Sequence, residues 1–192
     1  MTNITTLTDS YKLSHFLQYP KGTEKIHSYM SSRGGEYEEM VFIGLKYYVD
    51  KYLKGVAKVN FDDVDKAEEL SITHGVPFNR KGWEYIAYEL HGELPIEIKS
   101  IKEGSIFKQH DVILTIENTD ENCAWLVGWV ETLLMKLWYP ITIASKSLAV
   151  KKMLKGYWDK TSDNPDGIDF AYHNFGDRGA TSVEAAAIGG VA

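Results

Sequence analysis

Apolar residues recur at helical spacing from Val41 onward. Val41, Phe42, Leu45, Tyr48, Val49, Tyr52 and Leu53 share one face, and Gly55 is placed to cap the end. A second short helix is predicted from Asp62 and Asp63 through Val64, Ala67 and Leu70. A third starts at an Asn79 cap, turns Trp83, Ile86, Ala87 and Leu90 inward, and stops at Gly92. Upstream, DSYKLSHFLQYP at 9–20 reads as a short helix capped by Asp9 or Ser10 and ended by Pro20 and Gly22. Residues 25–33 alternate as a strand until Gly34-Gly35.

The period then changes to two. Leu94, Ile96 and Ile98 alternate with Glu93, Glu97 and Lys99, and Val112, Leu114 and Ile116 alternate with Ile113 and Thr115, which predicts strands near 94–101 and 111–117 in one small sheet. The widest helical stripe follows: Trp125, Leu126, Trp129, Val130, Leu133, Leu134, Leu137 and Trp138, capped by Asp120 or Asn122. Pro140 interrupts it and starts another helix through Ala144, Leu148 and Leu154 toward Trp158. After the turn-rich TSDNPDG at 161–167, Phe170 to Phe175 read as a strand and Gly176 to Gly179 as a turn. Thr181 and Glu184 form a capping box that opens a last helix.

This order is of the α/β class. An α+β domain is expected over residues 1–167, including long helices at 121–160. A first strand, turn and helix of a second α/β unit are expected over 168–192. That last unit lacks partners for its apolar faces, so it is expected to be ordered only by neighbours. The chain is expected to be the front part of a longer protein.

Composition narrows the function classes. With 44% hydrophobic and 25% charged residues among 192, the chain is globular rather than disordered. The net charge of −6 argues against a generic nucleic-acid binder. Cys123 is the sole cysteine, so neither an intrachain disulfide nor a cysteine-based zinc site is available. Histidines 15, 27, 74, 91, 110 and 173 are scattered, and no metal site is expected. The N-terminus has no secretory pattern, and no apolar run is long enough for a membrane span, so a cytoplasmic place is expected. P-loop, G-x-G-x-x-G, H-E-x-x-H and G-x-S-x-G patterns are absent. Aromatics reach 12%, with 12 Tyr and 5 Trp, which suits either an amphipathic core or a site for a flat ring.

The most chemical stretch is HNFGDRGATSVE at 173–184. A glycine turn at a helix start gathers backbone N–H groups, and Arg178 can grip phosphate oxygens in pairs. Phe175 can present a ring face. The structural alternative is a plain turn with Arg178 ion-paired and Phe175 in the core. In DSYK, Tyr11 offers a ring and Asp9 an acceptor; the alternative is a helix cap beside a packed tyrosine. Arg33 is either an anion ligand or a surface ion pair. Lys151, Lys152 and Lys155 read as a solvated face.

Taken in order, DSYKLSHFLQYP, VFIGLKYYV, FNRKGWEYI, LPIEIKSIKEG, LTIENTD, ETLLMKLWYPITIAS and HNFGDRG…TSVEAAAIGG resemble the N-terminal part of the nicotinamide phosphoribosyltransferase family. The resemblance implies a pentosyltransferase, a type II phosphoribosyltransferase. It condenses nicotinamide with 5-phosphoribosyl-1-diphosphate to nicotinamide mononucleotide and diphosphate, in NAD salvage. It implies a cytoplasmic homodimer with its active site at the interface, and an N-terminal domain followed by an incomplete α/β barrel. Phe175 matches the residue that stacks on one face of the pyridine ring, and Tyr11 the one that covers the other face from the partner subunit. Arg178 matches an arginine holding the phosphorylated substrate, and Arg33 an arginine near the diphosphate. Asp9 and His173 match the pocket edges as binding residues. Mg²⁺ with the diphosphate substrate and ATP as coupled activator are implied by resemblance alone. The family's catalytic residues are expected beyond Ala192, so the chain alone is expected to be inactive. The short Gly34–Glu39 link reads as a trimmed surface loop. A nicotinate enzyme and a short non-catalytic dimerisation partner are the alternatives.

Overall fold

The computed structural model describes residues 3–54 and 58–192. Its elements in chain order are strand β1 (His27–Ser31), strand β2 (Glu39–Val41), helix α1 (Leu45–Tyr48), helices α2 (Phe61–His74) and α3 (Arg80–Tyr88), and strands β3 (Ile96–Ser100), β4 (Ile106–Lys108) and β5 (Val112–Asn118). Helices α4 (Leu126–Leu134), α5 (Trp138–Thr161) and α6 (Val183–Val191) follow. The architecture is mixed α/β with two open sheets: β1-β5-β3, and the pair β2-β4. In the first, β3 and β5 run antiparallel with Ile98 opposite Ile116. In the second, Met40 lies opposite Phe107.

The chain divides into two compact units. One comprises residues up to Met30, Leu45–Ser100 and Leu114–Lys136. The other comprises Ser31–Gly44, Ile101–Ile113 and Leu137–Ala192.

In the first unit α4 is the centre. Leu126, Val127, Trp129, Val130, Leu133 and Leu134 are all buried, which is why its apolar positions wrap the helix instead of marking one stripe. Trp83, Trp125 and Trp129 meet edge to face, with centroids 4.9, 5.2 and 6.0 Å apart. Asn118, at the end of β5, is buried and fully used. Its Nδ2 donates to the carbonyls of Glu24 and Asp120, and its Oδ1 accepts from Ile26 N–H, each at 2.8 Å. Arg80 pairs with Asp65, Glu68 and Glu84 at 2.8, 2.5 and 2.7 Å.

In the second unit α5 packs on β2, and Ser145 Oγ accepts from Val41 N–H at 3.0 Å. Gly44 has φ +104°, its N–H donates to Glu103 Oε2 at 2.8 Å, and a Cβ there would lie 2.8 Å from Pro140 Cγ. Only glycine satisfies all three demands.

Several expectations are corrected. Residues 39–41 are strand, and the helix begins at Leu45, because Gly44 turns the chain out of the helical path. It then widens into a π-helical turn, Val49–Leu53. Gly55, expected as its cap, lies outside the described residues. Helix α2 begins at Phe61 with Asp62 and Asp63 in its first turn, as expected, and Asn60 caps it, its Oδ1 accepting from Asp63 N–H at 3.0 Å. Asn79 caps α3 as expected, accepting from Gly82 N–H. Asp120 caps the short 3₁₀ turn Glu121–Cys123 instead of α4. Between α4 and α5 a 3₁₀ turn, Met135–Leu137, interrupts the helix. It places Pro140 in the first turn of α5, where a residue without an N–H forfeits no intrahelical hydrogen bond.

Residues 170–175 are not a strand. A 3₁₀ turn covers Ile168–Phe170, and 171–176 are irregular. No neighbouring strand among the described residues offers the ladder that would extend them. Ser182, not Thr181, caps α6, accepting from Ala185 N–H at 3.0 Å. Helix α6 also has a partner: it packs on α5, with Ile188 and Gly189 buried.

Candidate functional site

Asp9 and Tyr11 belong to the first unit. Arg33, His173, Phe175 and Arg178 belong to the second.

Tyr11 sits on a 3₁₀ helix, Ser10–Leu17, that lies against α4. Asp9 stands at its N-cap position without capping it. Instead, Asp9 Oδ2 accepts from Thr132 Oγ1 at 2.6 Å, and Asp9 N–H donates back to the same hydroxyl at 3.2 Å. The packed-tyrosine alternative does not hold, because Tyr11 is 56% exposed. Its ring has the His15 ring tilted beside it at 5.1 Å and the Lys12 ammonium at 5.8 Å. Lys12 itself is buried, donating from Nζ to Gly128 O at 2.9 Å and pairing with Glu131. Nothing local in the sequence marks that contact, since its partners lie more than a hundred residues away.

In the second unit Asn174 shapes the turn before Arg178. Its Oδ1 accepts from Gly176 N–H at 2.8 Å, and the 3₁₀ turn Asp177–Gly179 follows. Sequence reasoning did not single out Asn174, although an Asn two residues before a Gly is a recognisable turn signal. Phe175 is 79% exposed, which excludes the core reading. The His173 ring lies tilted beside it at 6.2 Å, and is itself exposed. Arg178 is exposed and has no hydrogen-bond or ion-pair partner among the described residues, so the ion-pair reading is not realised.

Arg33 is likewise exposed and unpartnered among the described residues. It follows β1 and precedes Gly34, at φ +103°, whose N–H donates to Ser32 Oγ at 3.1 Å. Gln109 holds the next turn, donating from Nε2 to the carbonyls of Gly35 and Tyr37 at 3.0 and 3.1 Å. The Gly34–Glu39 link is thus a surface loop tied down by one glutamine. Beside it opens a cavity of about 640 Å³ with a mixed lining, Glu36, Tyr37, Glu39, Lys108 and Lys152 on its polar side and Leu148 on its apolar side. The Lys152 ammonium on Glu39 holds that carboxyl below the usual carboxylate range. Lys151, Lys152 and Lys155 pair with Asp169, Glu39 and Asp159, as a solvated face does.

The arginines of this chain are Arg33, Arg80 and Arg178. Arg80 is fully engaged by three carboxylates, and the other two are left open. A guanidinium group left without a carboxylate partner is available to an anionic ligand. Among the described residues no group of three His, Cys, Asp or Glu is placed to hold a metal ion. No described helix is long and apolar enough to cross a membrane.

Residues 3–98 match the N-terminal domain of nicotinamide phosphoribosyltransferase. Along the whole chain, a Xanthomonas campestris protein of that name is 42% identical over 193 residues, an alignment covering 100% of this chain and 41% of that protein. An Acinetobacter baylyi protein of the same name is 30% identical over 198 residues, covering 95% and 39%. One from Mycoplasma pneumoniae is 28% identical over 202 residues, covering 93% and 44%. The chain therefore spans about two-fifths of the length of the relatives it matches. By the domain it contains and the relatives aligned along its length, this chain belongs to the nicotinamide phosphoribosyltransferase family.

Proposed function

We propose that this chain supplies the N-terminal part of a nicotinamide phosphoribosyltransferase. The enzyme joins nicotinamide to 5-phosphoribosyl-1-diphosphate, giving nicotinamide mononucleotide and diphosphate in NAD salvage in the cytoplasm. The observation that carries the reading is the contrast among the arginines. Arg80 is saturated by carboxylates, whereas Arg33 and Arg178 are exposed and unpartnered among the described residues. Arginines left without a structural partner are available for phosphate oxygens. The name borne by the relatives favours nicotinamide over nicotinate.

In this reading Phe175 lies on one face of the pyridine ring and the partner subunit's Tyr11 on the other, with the active site at a homodimer interface. An uncharged flat ring is well held between two aromatic faces. Asp9 and His173 border the pocket. Arg178 and Arg33 hold the phosphorylated substrate and neutralise charge as diphosphate departs. In this reading, which here follows the family resemblance, Mg²⁺ accompanies the diphosphate substrate. ATP acts as a coupled activator through segments that this chain does not contain. Residues 1–167 form the N-terminal domain, and 168–192 open the barrel. The catalytic groups come from the part of the relatives that this chain does not match, and the chain alone does not turn over.

The test is a chimera in which residues 1–192 replace the matching stretch of the Xanthomonas campestris relative. The purified 192-residue chain is expected to form no nicotinamide mononucleotide, and the chimera to form it. Phe175→Ala is expected to raise KM for nicotinamide, and Arg178→Ala to lower kcat/KM for the diphosphate substrate about a hundredfold. Product from the isolated chain, or an Arg178→Ala chimera as active as its parent, overturns the proposal.

A further inference from the structure

The 3₁₀ helix that carries Tyr11 runs for eight residues, Ser10–Leu17. Runs of more than three or four residues are uncommon, because the i→i+3 hydrogen bonds are poorly aligned. Such a segment keeps its shape through what it touches, and here that is α4. Gly128, Glu131 and Thr132 lie three and four residues apart, on one face of that helix. Lys12 Nζ donates to Gly128 O at 2.9 Å and pairs with the Glu131 carboxylate. Thr132 Oγ1 exchanges hydrogen bonds with the N–H and carboxylate of Asp9. Thr8 Oγ1 donates to Trp129 O at 3.0 Å, and Leu13 is buried. A Cβ at Gly128 would lie 2.8 Å from Tyr19 Oη, so the glycine leaves this face open to close approach.

Lys12 is the notable member of this clamp. It is 4% exposed, yet it lies next in sequence to a tyrosine that is 56% exposed. A buried ammonium is costly unless its partners are in place. Its partners here are fixed on the most deeply packed helix of the unit, so Lys12 transmits the position of α4 to the turn bearing the Tyr11 ring.

We propose that Lys12 is a positioning residue for Tyr11, holding the ring at the angle required to cover nicotinamide. Gly128 and Glu131 are its anchors, and the Thr132–Asp9 contact is a second tether. This rests on the reading of Tyr11 as a ring-stacking residue.

Lys12→Met keeps the length and apolar stem of the side chain and removes only the ammonium; the Glu131 carboxylate it leaves is 59% exposed and is solvated by water. In the chimera it is expected to raise KM for nicotinamide about tenfold and to leave KM for 5-phosphoribosyl-1-diphosphate within about twofold, since a displaced binding group weakens only what it touches. Tyr11→Ala is expected to raise KM for nicotinamide at least as much, and Lys12→Met added to it to do nothing further. That non-additivity is the mark of a residue acting through Tyr11, and a general loss of packing does not produce it. Should Lys12→Met fail to fold, Thr132→Val cuts the second tether and carries the same expectation.

Three results overturn the proposal with the function reading intact. In one, Tyr11→Ala raises KM while Lys12→Met, or Thr132→Val in its place, does not. In another, the Lys12 and Tyr11 effects add in full. In the third, Lys12→Met raises both KM values alike. An unaltered KM for nicotinamide in Tyr11→Ala removes the reading of Tyr11, and the positioning role with it.

Discussion

Asn118→Ala removes one buried side chain and three hydrogen bonds. Its amide ties the residues leading into β1 to the end of β5: Nδ2 holds the carbonyls of Glu24 and Asp120, and Oδ1 holds Ile26 N–H, all at 2.8 Å. A net hydrogen bond contributes about 1 kcal/mol, and a buried group left unpaired costs about 1–3 kcal/mol. Glu24 is exposed, so water replaces part of that loss at its carbonyl. The sum is about 2–4 kcal/mol. With a urea dependence of about 2 kcal/mol per molar, the midpoint falls by about 1–2 M. Fluorescence of Trp83, Trp125 and Trp129 reports the transition, since all three belong to the same unit as Asn118. Asn118→Asp sharpens the test. It keeps the acceptor for Ile26 but turns a carboxylate toward two carbonyls, so it is expected to destabilise at least as much as alanine at pH 7. It should recover part of the loss on acidification, when the carboxyl regains a donor. A midpoint shift under about 0.3 M for Asn118→Ala refutes the reasoning, because three bonds at this site cannot then be holding the strand entry.

Gly82→Ala sets helix propensity against packing. Alanine gains about 1 kcal/mol inside a helix, but its Cβ would lie 2.9 Å from Trp125 and 2.5 Å from the Asn79 amide that caps α3. Loss of the cap and strain in the core outweigh the gain, and a net loss of about 1–2 kcal/mol is expected in thermal unfolding; a raised Tm contradicts it. Burial pushes the Cys123 thiol up to about 12, with Asp120 adding to the shift. The unfolded thiol releases its proton near pH 8.5 while the folded one keeps it. Stability is therefore expected to fall by about 1.4 kcal/mol per pH unit above about pH 8.5, until near pH 12. Cys123→Ala should remove that part of the slope, and an unchanged slope rejects the assignment. In the folded chain Cys123 should also resist alkylation at pH 8, which mass measurement of iodoacetamide-treated protein checks.

Elements with several periods of pattern were readable from the sequence, and elements shaped by a single residue were not. The alternation at Ile96 and Ile98 against Leu114 and Ile116 became an antiparallel pair, because that many half-buried positions leave one register. Asn79 and Pro140 act through their own backbone positions, and both sit at helix starts as the local rules require. Strands β2 and β4 have three residues each, too few to display alternation. Val41 and Phe42 also fit the helical period of Leu45 and Tyr48, and only the positive φ of Gly44 separates strand from helix. The run Phe170–Phe175 is aromatic enough for a strand, but strand propensity without a neighbouring edge forms no ladder.

The site divides along the same line. What each candidate residue is was legible: rings at Tyr11 and Phe175, guanidinium groups at Arg33 and Arg178. What each one lacks was not, because an arginine's freedom is a property of everything around it. FNRKG at Arg80 and FGDRG at Arg178 each set an arginine in a turn-like, glycine-ended segment. Folding delivers Asp65, Glu68 and Glu84 to the first, and no ion-pair partner among the described residues to the second. The same holds for Lys12, which reads as an ordinary surface lysine until α4 places Gly128 and Glu131 on it from more than a hundred residues away. Ligand-facing residues are thus recognised by the partners that the fold withholds, and positioning residues by the distant partners it supplies. Residue chemistry alone marks Arg178 and Tyr11 as candidates, and the family resemblance adds the role of each.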